Sequence, residues 1–294
     1  MKNKYLSLFC FLLVSLICVT LANRSSYPCV SNHAQLLSMS EDELDKLSLN
    51  SILNTLSPLT QSDKHIQALI KSSNTYPSAK IILAKPDAYP NSLIELAAKK
   101  PETISFVAYY PKYATDDAAI LATSMMETYT SFNIPLYLQW DFRWGYEKYG
   151  EDFLAINGCG PTCLSMVLAK LTGNTEWTPK AVADFSYNSG YLVKGVGTSW
   201  ALMTEGANTL GIYGETIPLE PSIIHELLEN GFPLIASMRA GHFTTKGHFI
   251  VLTGIDENGQ IHVNDPDSLI RSQQTWDLDL ILSEAKNMWA FYPQ

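Results

Sequence analysis

Residues 157–171 read NGCGPTCLSMVLAKL and contain two cysteines, Cys159 and Cys163, four positions apart. Pro161 has the position of a first-turn residue, good helix formers follow it, and a glycine ends the run. The stretch therefore predicts a helix over residues 161–171. Cys159 is expected just before this helix and Cys163 inside it, so the two thiols should have different surroundings.

These surroundings decide which thiol is reactive. Unpaired amide N–H groups and the positive end of the helix dipole stabilise a thiolate at a helix start, which is the position of Cys159. Cys163 instead adjoins the apolar stripe of the helix. That stripe consists of Leu164, Val167, Leu168 and Leu171. We interpret Cys163 as a core residue and Cys159 as the candidate nucleophile.

A disulfide and a zinc site both fit the cysteine pair poorly. A disulfide between Cys159 and Cys163 would span one helical turn, where the geometry is unfavourable. A zinc site needs more ligands, but no second cysteine pair follows, and His242 and His248 are six residues apart. Beyond the N-terminal apolar run only Cys29 joins the pair, so the odd count leaves at least one thiol free. We predict no metal and no organic cofactor.

A cysteine nucleophile needs a base, and the chain has six histidines. His248 begins the apolar strand GHFIVLTGI, where a polar residue is easier to explain as a base than as packing. His225 lies in the helical pattern IIHELLEN and is expected on a solvated face. His242, in AGHFTTKGHF, is expected to face the substrate or simply to be exposed. His248 is therefore the candidate base.

A third group usually orients the imidazole, and Asp265 in HVNDPDS is the candidate. If His248 faces Asp265 across an antiparallel hairpin, the turn is a four-residue loop at residues 255–258. A two-residue turn at the following Asn-Gly dipeptide would instead put Asp265 opposite Leu252, about 13 Å along the strand from His248. A bulge that shifts the pairing is a third alternative.

Gln139, in LQWDFRWG, lies twenty residues before Cys159. Its side-chain amide would be able to donate to an oxyanion beside the Cys159 backbone N–H. A surface glutamine between aromatic residues fits the spacing equally well. The tryptophans Trp140, Trp144 and Trp200 fit either cleft lining or packing.

The first residues, MKNKYLSLFCFLLVSLICVTLA, place two lysines before an apolar run that ends in small residues. Residues 1–22 are therefore predicted to be an export signal, or an N-terminal membrane anchor if they are not cleaved. Without them the net charge changes from −9 to −11, which argues against nucleic acid and anionic membranes as partners. We expect the protein to be secreted or held at the cell surface, with no membrane contact except such an anchor.

The 294 residues, 46% of them hydrophobic, suffice for one large or two modest domains. Residues 24–128 are predicted to be a helical N-terminal region. In it, Ser40 and Glu43 form a capping-box pattern, and a second helix is expected in YPNSLIELAAKKPE. AKIILA fits a strand or a buried helical turn. Residues 110–133 are interpreted as a linker with one helix.

Residues 129–294 are predicted to be a second domain, because tryptophans, glycines and short β-rich runs begin here. Short helices are expected to about residue 230, followed by strands in PLIASM, HFIVLTGI and QIHVND. Helices followed by strands favour an α+β fold.

Four segments, LQWDFRWG, GCGPTCLSM, GHFIVLTG and VNDP, occur in an order that resembles the C39-like cysteine peptidase family of the papain-like superfamily. The likeness spans about residues 133–294. It implies a papain-like α+β fold, in which the helix that carries the cysteine packs on an antiparallel sheet that carries the histidine and the aspartate.

The resemblance also implies roles for four residues. Cys159 would be the nucleophile, His248 the base, Asp265 the group that orients it, and Gln139 a donor to the oxyanion. The likeness also supports the four-residue loop between the two strands. The implied activity is that of an exported bacterial cysteine hydrolase that acts on a peptide or protein.

Two alternatives stay open at this point. One is an inactive papain-like surface module that binds peptide or cell-wall polymer, and the other is an amidase or acyl transferase with the same triad. Cleavage after paired glycines is not implied, since the chain has no transporter domain. Residues 24–128 resemble the helical extension of some exported C39-like proteins. The alternatives for their role are a propeptide, a spacer and a binding domain.

Overall fold

A computed structural model describes residues 33–114 and 130–294. The chain divides into two compact units, Met1–Pro86 and Asp87–Gln294. The predicted export segment and Cys29 lie outside the described residues, as does part of the predicted linker. Within the described ranges, no helix is both long and apolar enough to span a bilayer.

The described part of the first unit is helical. Its helices are α1 (His33–Leu36), α2 (Glu41–Asp45), α3 (Leu49–Leu53), α4 (Pro58–Ser62), α5 (Lys64–Ser72) and α6 (Ala79–Ala84). Side chains at the N-caps satisfy unpaired N–H groups at four of these starts, and the Ser40–Glu43 capping box is confirmed. The segment AKIILA is a helix rather than a strand, and its Lys80 donates to the carbonyls of Leu44 and Asp45.

The second unit begins with the helix expected between two prolines. Its helices are α7 (Asn91–Lys99), α8 (Ile104–Ala108), α9 (Tyr110–Tyr113), α10 (Leu154–Asn157), α11 (Cys159–Thr172), α12 (Pro179–Asn188), α13 (Glu205–Thr209), α14 (Pro221–Glu229), α15 (Leu269–Ser272) and α16 (Leu278–Glu284). Short 3₁₀ turns lie at Pro86–Ala88, Pro101–Thr103 and Trp200–Met203. Pro101 ends α7 because proline cannot continue a helix.

Across residues 33–114 and 130–294 the strands form one large sheet and three small hairpins. They are β1 (Thr130–Ser131), β2 (Ile134–Pro135), β3 (Lys148–Tyr149), β4 (Asp152–Phe153), β5 (Leu192–Val193), β6 (Gly197–Thr198), β7 (Ile212–Ile217), β8 (Leu234–Arg239), β9 (Gly247–Ile255), β10 (Ile261–Asn264), β11 (Thr275–Trp276) and β12 (Ala285–Pro293). The large sheet is antiparallel and has the order β11-β10-β9-β8-β12-β7.

The expected strands β8, β9 and β10 are present, but the large sheet has three further strands, β7, β11 and β12, that the sequence pattern does not indicate. Ile212–Ile217 lies where short helices were predicted, and it forms the edge strand β7. β12 lies between β8 and β7. The unit is therefore a mixture of helices and antiparallel sheet, as the α+β prediction requires.

The core lies against this sheet. Alternate residues of β8, namely Leu234, Ala236 and Met238, join buried residues of α14 and α16 in one apolar cluster. Burying one such aliphatic side chain stabilises a fold by about 1.5–3 kcal/mol. Helix α11 packs against β9. The sheet thus supports the helix that begins with Cys159.

Candidate active site

Helix α11 begins at Cys159, two residues earlier than the sequence pattern indicated. Cys159 is therefore the first helical residue rather than the residue before the helix. Its half-buried thiol lies at the end where backbone N–H groups have no partner within the helix. A Cβ on the following Gly160 would lie 2.8 Å from the Thr198 side chain, so this close packing requires glycine. The Cys-Gly pair is thus explained by local packing.

The two thiols have opposite electrostatics. Burial alone would raise the pKa of Cys159, but the hydrogen bond to His248, the charge of its imidazolium and the N–H groups of Phe249 and Gly160 together lower it below the ordinary value. Cys163 is buried in the core, as expected, and burial raises its pKa well above the ordinary value. Cys159 is the thiol whose surroundings favour a thiolate.

His248 and Asp265 form a buried pair. The His248 Nε2 atom is 2.7 Å from Asp265 Oδ1, and the Asp265 side chain is fully buried. Burial lowers the pKa of His248, but the charge and hydrogen bond of Asp265, with those of Cys159, raise it to about 9. Because Nε2 faces Asp265, Nδ1 is the nitrogen that remains for the thiol. The structure thus brings Cys159, His248 and Asp265 together.

The strand pairing that brings them together differs from both regular registers considered for the hairpin, and it contains the bulge that was the third alternative. Residues 256–260 form the loop, and a bulge shifts the pairing between His262 and Val263. Val263 pairs with Leu252, so neither the loop at 255–258 nor the two-residue turn is correct. Continuing this register sets Asp265 two positions along β9 from His248, and the side chains bridge that offset.

Asp265 has further partners that the sequence did not reveal. The Arg271 Nε donates to Asp265 Oδ2 at 2.6 Å, and the backbone N–H of Asp267 donates to Oδ1 at 2.8 Å. The Asp265 N–H donates to Ser272 Oγ at 2.9 Å. Burial alone would raise the pKa of Asp265, but His248 and Arg271 lower it, so the carboxylate stays ionised. Both carboxylate oxygens are held by donors.

Gln139 is buried beside the segment that carries Asp265. Its backbone N–H donates to Pro266 O at 2.7 Å, and its Nε2 donates to Ala155 O at 2.8 Å. Gln139 is therefore not a surface glutamine. The Nε2 group carries a second hydrogen, and the predicted donation from Gln139 to an oxyanion would use that hydrogen.

The remaining aromatic and histidine candidates have clear surroundings. Trp140 and Trp144 are buried, and their indole N–H groups donate to the carbonyls of Asp267 and Leu138, so these two tryptophans pack rather than line a cleft. Trp200 is exposed. The exposed side chain of His242 bonds to the carboxylate of Glu284.

A pocket of about 590 Å³ is lined by residues of the β3–β4 and β5–β6 hairpins, α10 and α12. Its lining includes Tyr149, Asn157, Tyr187, Leu192 and Val193. Asn157 is two residues from Cys159. In residues 33–114 and 130–294, no cluster of three or more histidine, cysteine, aspartate or glutamate side chains is arranged to hold a metal ion.

A thiol at a helix start, beside a buried histidine–aspartate pair on an antiparallel sheet, is an arrangement used by cysteine hydrolases that form covalent intermediates. Residues 131–293, more than half of the chain, match the model of the Peptidase_C39 like family. The protein therefore belongs to this family, which confirms the resemblance seen in the sequence. A comparison with curated proteins found no match.

Proposed function

We propose that the protein is an exported cysteine hydrolase with peptidase chemistry, in which Cys159, His248 and Asp265 form the catalytic triad. Membership of the Peptidase_C39 like family supports a cysteine peptidase-type hydrolase. The observation that carries the residue roles is the connected set of contacts from the Cys159 thiol through His248 to Asp265. Shifted pKa values of a thiol and its imidazole partner are typical of a nucleophile and its base.

The resting pair would be a thiolate and an imidazolium, because Cys159 has a lowered pKa and His248 a raised one. The thiolate sulfur attacks the carbonyl carbon of the substrate, and the C=O electron pair moves to the oxygen. The backbone N–H of Cys159 and the amide of Gln139 donate to this oxyanion.

The second half of the reaction returns the site to its starting state. The proton on His248 Nδ1 goes to the leaving amine as the C–N bond breaks, which leaves a thioester on Cys159. His248 then removes a proton from water, the hydroxide attacks the thioester carbon, and the C–S bond breaks, which restores the Cys159 thiolate and releases the acid. Asp265 keeps the imidazole in the required orientation and stabilises its cation.

The pocket near Asn157 is where we expect part of the substrate to bind. Its lining combines the apolar side chains of Leu192 and Val193 with the hydroxyl of Tyr149. That hydroxyl is already bonded to Ser186 and Thr198. Charged side chains also line the pocket, so it suits a substrate residue with both apolar and polar groups. The N-terminal apolar segment is the feature that supports export.

The test variant is Cys159→Ala. The control is Cys163→Ala, which removes the other thiol of the same helix. Hydrolysis of fluorescein-labelled casein should be lost in Cys159→Ala and kept in Cys163→Ala. Casein hydrolysis that persists in Cys159→Ala would rule the mechanism out. Product masses with and without an added amine acceptor would separate hydrolysis from acyl transfer, and an amide product as the main species would replace the hydrolase assignment.

A further inference from the structure

The segment after Asp265 is held by residues that come from far earlier in the chain. The Glu102 carboxylate accepts from Ser268 Oγ at 2.6 Å and from the backbone N–H groups of Leu269 and Ile270 at 3.0 and 3.3 Å. These groups lie at the start of α15, the short helix that contains Arg271. One carboxylate therefore fixes the start of the helix whose arginine binds Asp265.

Lys100, which precedes Pro101 in the sequence as Glu102 follows it, contacts the same segment. Its ammonium forms an ion pair with the Asp267 carboxylate, and the Asp267 backbone N–H donates to Asp265 Oδ1 at 2.8 Å. The side chain of Lys100 is one-third exposed, and that of Asp267 is nearly buried. Pro101 and the 3₁₀ turn that it begins place Lys100 and Glu102 on this segment.

The charges explain why such contacts matter. Asp265 and Asp267 are two residues apart and both are buried, so their carboxylates repel each other unless cations lie nearby. Arg271 bonds to Asp265 and lies 3.8 Å from Asp267, while Lys100 pairs with Asp267. Burial lowers the pKa of Lys100 to about 8, and the nearby charge of Asp265 favours its ammonium form.

We propose that Lys100 and Glu102 are positioning residues for the Cys159 site: they hold the segment from Pro266 to Ile270, and through it keep Asp265 aligned with His248. This inference rests on the proposed hydrolase function. Both residues precede the region that matches the family. The helices before that region thus supply part of the support for the site.

The chain offers matched controls for this proposal. Lys99, the neighbour of Lys100, pairs with Glu95 one turn earlier on α7, and both side chains are about half exposed or more. An exposed pair of this kind contributes little to stability. Lys99→Met and Glu95→Gln therefore make the same chemical changes as Lys100→Met and Glu102→Gln, away from the segment that follows Asp265.

The first readout is kinetic and uses the full chain with labelled casein peptides. Lys100→Met and Glu102→Gln should lower kcat about tenfold or more while KM changes by less than about twofold, because misalignment costs the chemical step. Lys100→Arg, which keeps the charge, should restore most of the activity. The Lys99→Met and Glu95→Gln variants should keep wild-type values.

The second readout needs no substrate: the rate at which iodoacetamide alkylates Cys159 as a function of pH. In Glu102→Gln the rise in reactivity should move to higher pH, because a misaligned Asp265 stabilises the His248 imidazolium less, whereas the mere loss of a negative charge would move it to lower pH. A wild type that hydrolyses nothing would sink the hydrolase proposal, yet an alkylation profile shifted to higher pH would still support the positioning role. Rates and profiles equal to those of the Lys99→Met and Glu95→Gln controls would overturn it.

Discussion

Cys159 and Cys163 lie in one helix, one turn apart, and their pKa values move in opposite directions. Burial raises the pKa of both thiols, so burial cannot be what lowers that of Cys159. Cys159 has an imidazolium and two backbone N–H groups within reach, whereas Cys163 has the nearby charges of Cys159 and Asp265, which disfavour a second anion. Contact with His248, supported by the two backbone N–H groups, therefore determines which thiol ionises.

This difference predicts selective alkylation. Iodoacetamide at neutral pH should modify Cys159 at least about a hundredfold faster than Cys163, since the thiolate is the reacting species. Peptide mapping by mass spectrometry after short exposures measures both rates. His248→Ala should slow the labelling of Cys159 and leave Cys163 unchanged. Equal rates at the two cysteines would contradict this account of the helix start.

The pH profile of hydrolysis follows from the same pair. The raised pKa of His248, about 9, sets the alkaline limit, because the thiolate–imidazolium pair loses its proton above that value. The lowered pKa of Cys159 sets the acid limit below the ordinary thiol value. A bell-shaped dependence of kcat/KM, with its alkaline limb near pH 9, is expected. A profile that is flat through this alkaline range would count against the pair.

Asp265→Asn tests the aspartate, because it keeps the shape of the side chain and removes its charge. The charge of Asp265 is the main cause that raises the pKa of His248, so the alkaline limb should move to lower pH. We expect kcat to fall about a hundredfold or more, since the imidazole loses the partner that orients it. Asp279→Asn, on α16, is an exposed control. An unchanged alkaline limb in Asp265→Asn would disprove the assigned role.

Much of this site was predictable from the residue types at the ends of helices and strands. Cys159, His248 and Asp265 each lie at or beside the end of a helix or strand, and the structure brings them together; their catalytic roles stay a prediction. Arg271 was missed because its spacing looks like that of a surface arginine. A fully buried carboxylate needs donors for both of its oxygens. A search for a second donor to Asp265 was therefore the signal that could have found Arg271.

At the scale of elements, the hairpin of β9 and β10 shows where sequence patterns stop being sufficient. The strands were predictable from their apolar runs, but the pairing was not. The side chain of Asp256 accepts from the N–H groups of Asn258 and Gln260, which lengthens the turn to residues 256–260. The bulge at His262 then shifts the register. The hydrophobic pattern encodes neither the hydrogen bonds of the turn nor the bulge.

The turn also contains a position that only glycine adopts easily. Gly259 has a φ of 77°, and an added Cβ would meet no atom within 4 Å, so only the backbone angle opposes a side chain there. Gly259→Ala should lower the free energy of unfolding by about 1 kcal/mol. Gly247→Ala, at the exposed start of β9, is the control. Urea unfolding of both variants measures the difference, and equal stabilities would contradict the argument.

Strands β7 and β12 show a second limit of sequence patterns. Four of the six residues of β7, two isoleucines, a tyrosine and a threonine, favour a strand, but a glycine and a glutamate interrupt them. Its backbone partners come from β12, far later in the chain. The local pattern does not show which distant strand pairs with β7, so this part of the sheet was not predictable from it.

At the scale of the whole molecule, the second compact unit starts before the region that matches the family. Phe106 on α8 stacks on Tyr146 with ring centroids 4.3 Å apart, and the Tyr146 hydroxyl donates to the Phe106 carbonyl. Tyr110 packs edge-on against Tyr146 and Phe153. The helices from Asp87 onward thus share one aromatic cluster with the matched region.

A chain that begins at residue 131 should therefore be less stable than one that begins at residue 87. The shorter chain exposes Tyr146 and Phe153 and lacks Lys100 and Glu102, so we expect a lower Tm and binding of a hydrophobic dye. Thermal melts followed by circular dichroism compare the two. Equal Tm values for the two chains would show that the aromatic cluster contributes nothing to folding.

The central place of β12 in the sheet has a consequence for how the chain is made. β7 is synthesised before β8, β9, β10 and β11, but its hydrogen-bonding partner in the sheet is β12, which follows them all. During synthesis, β7 therefore has no strand partner in this sheet until β12 has been made. Until that moment the sheet that supports the reactive thiol is incomplete, so reactivity should arise only after these residues have been added to the chain.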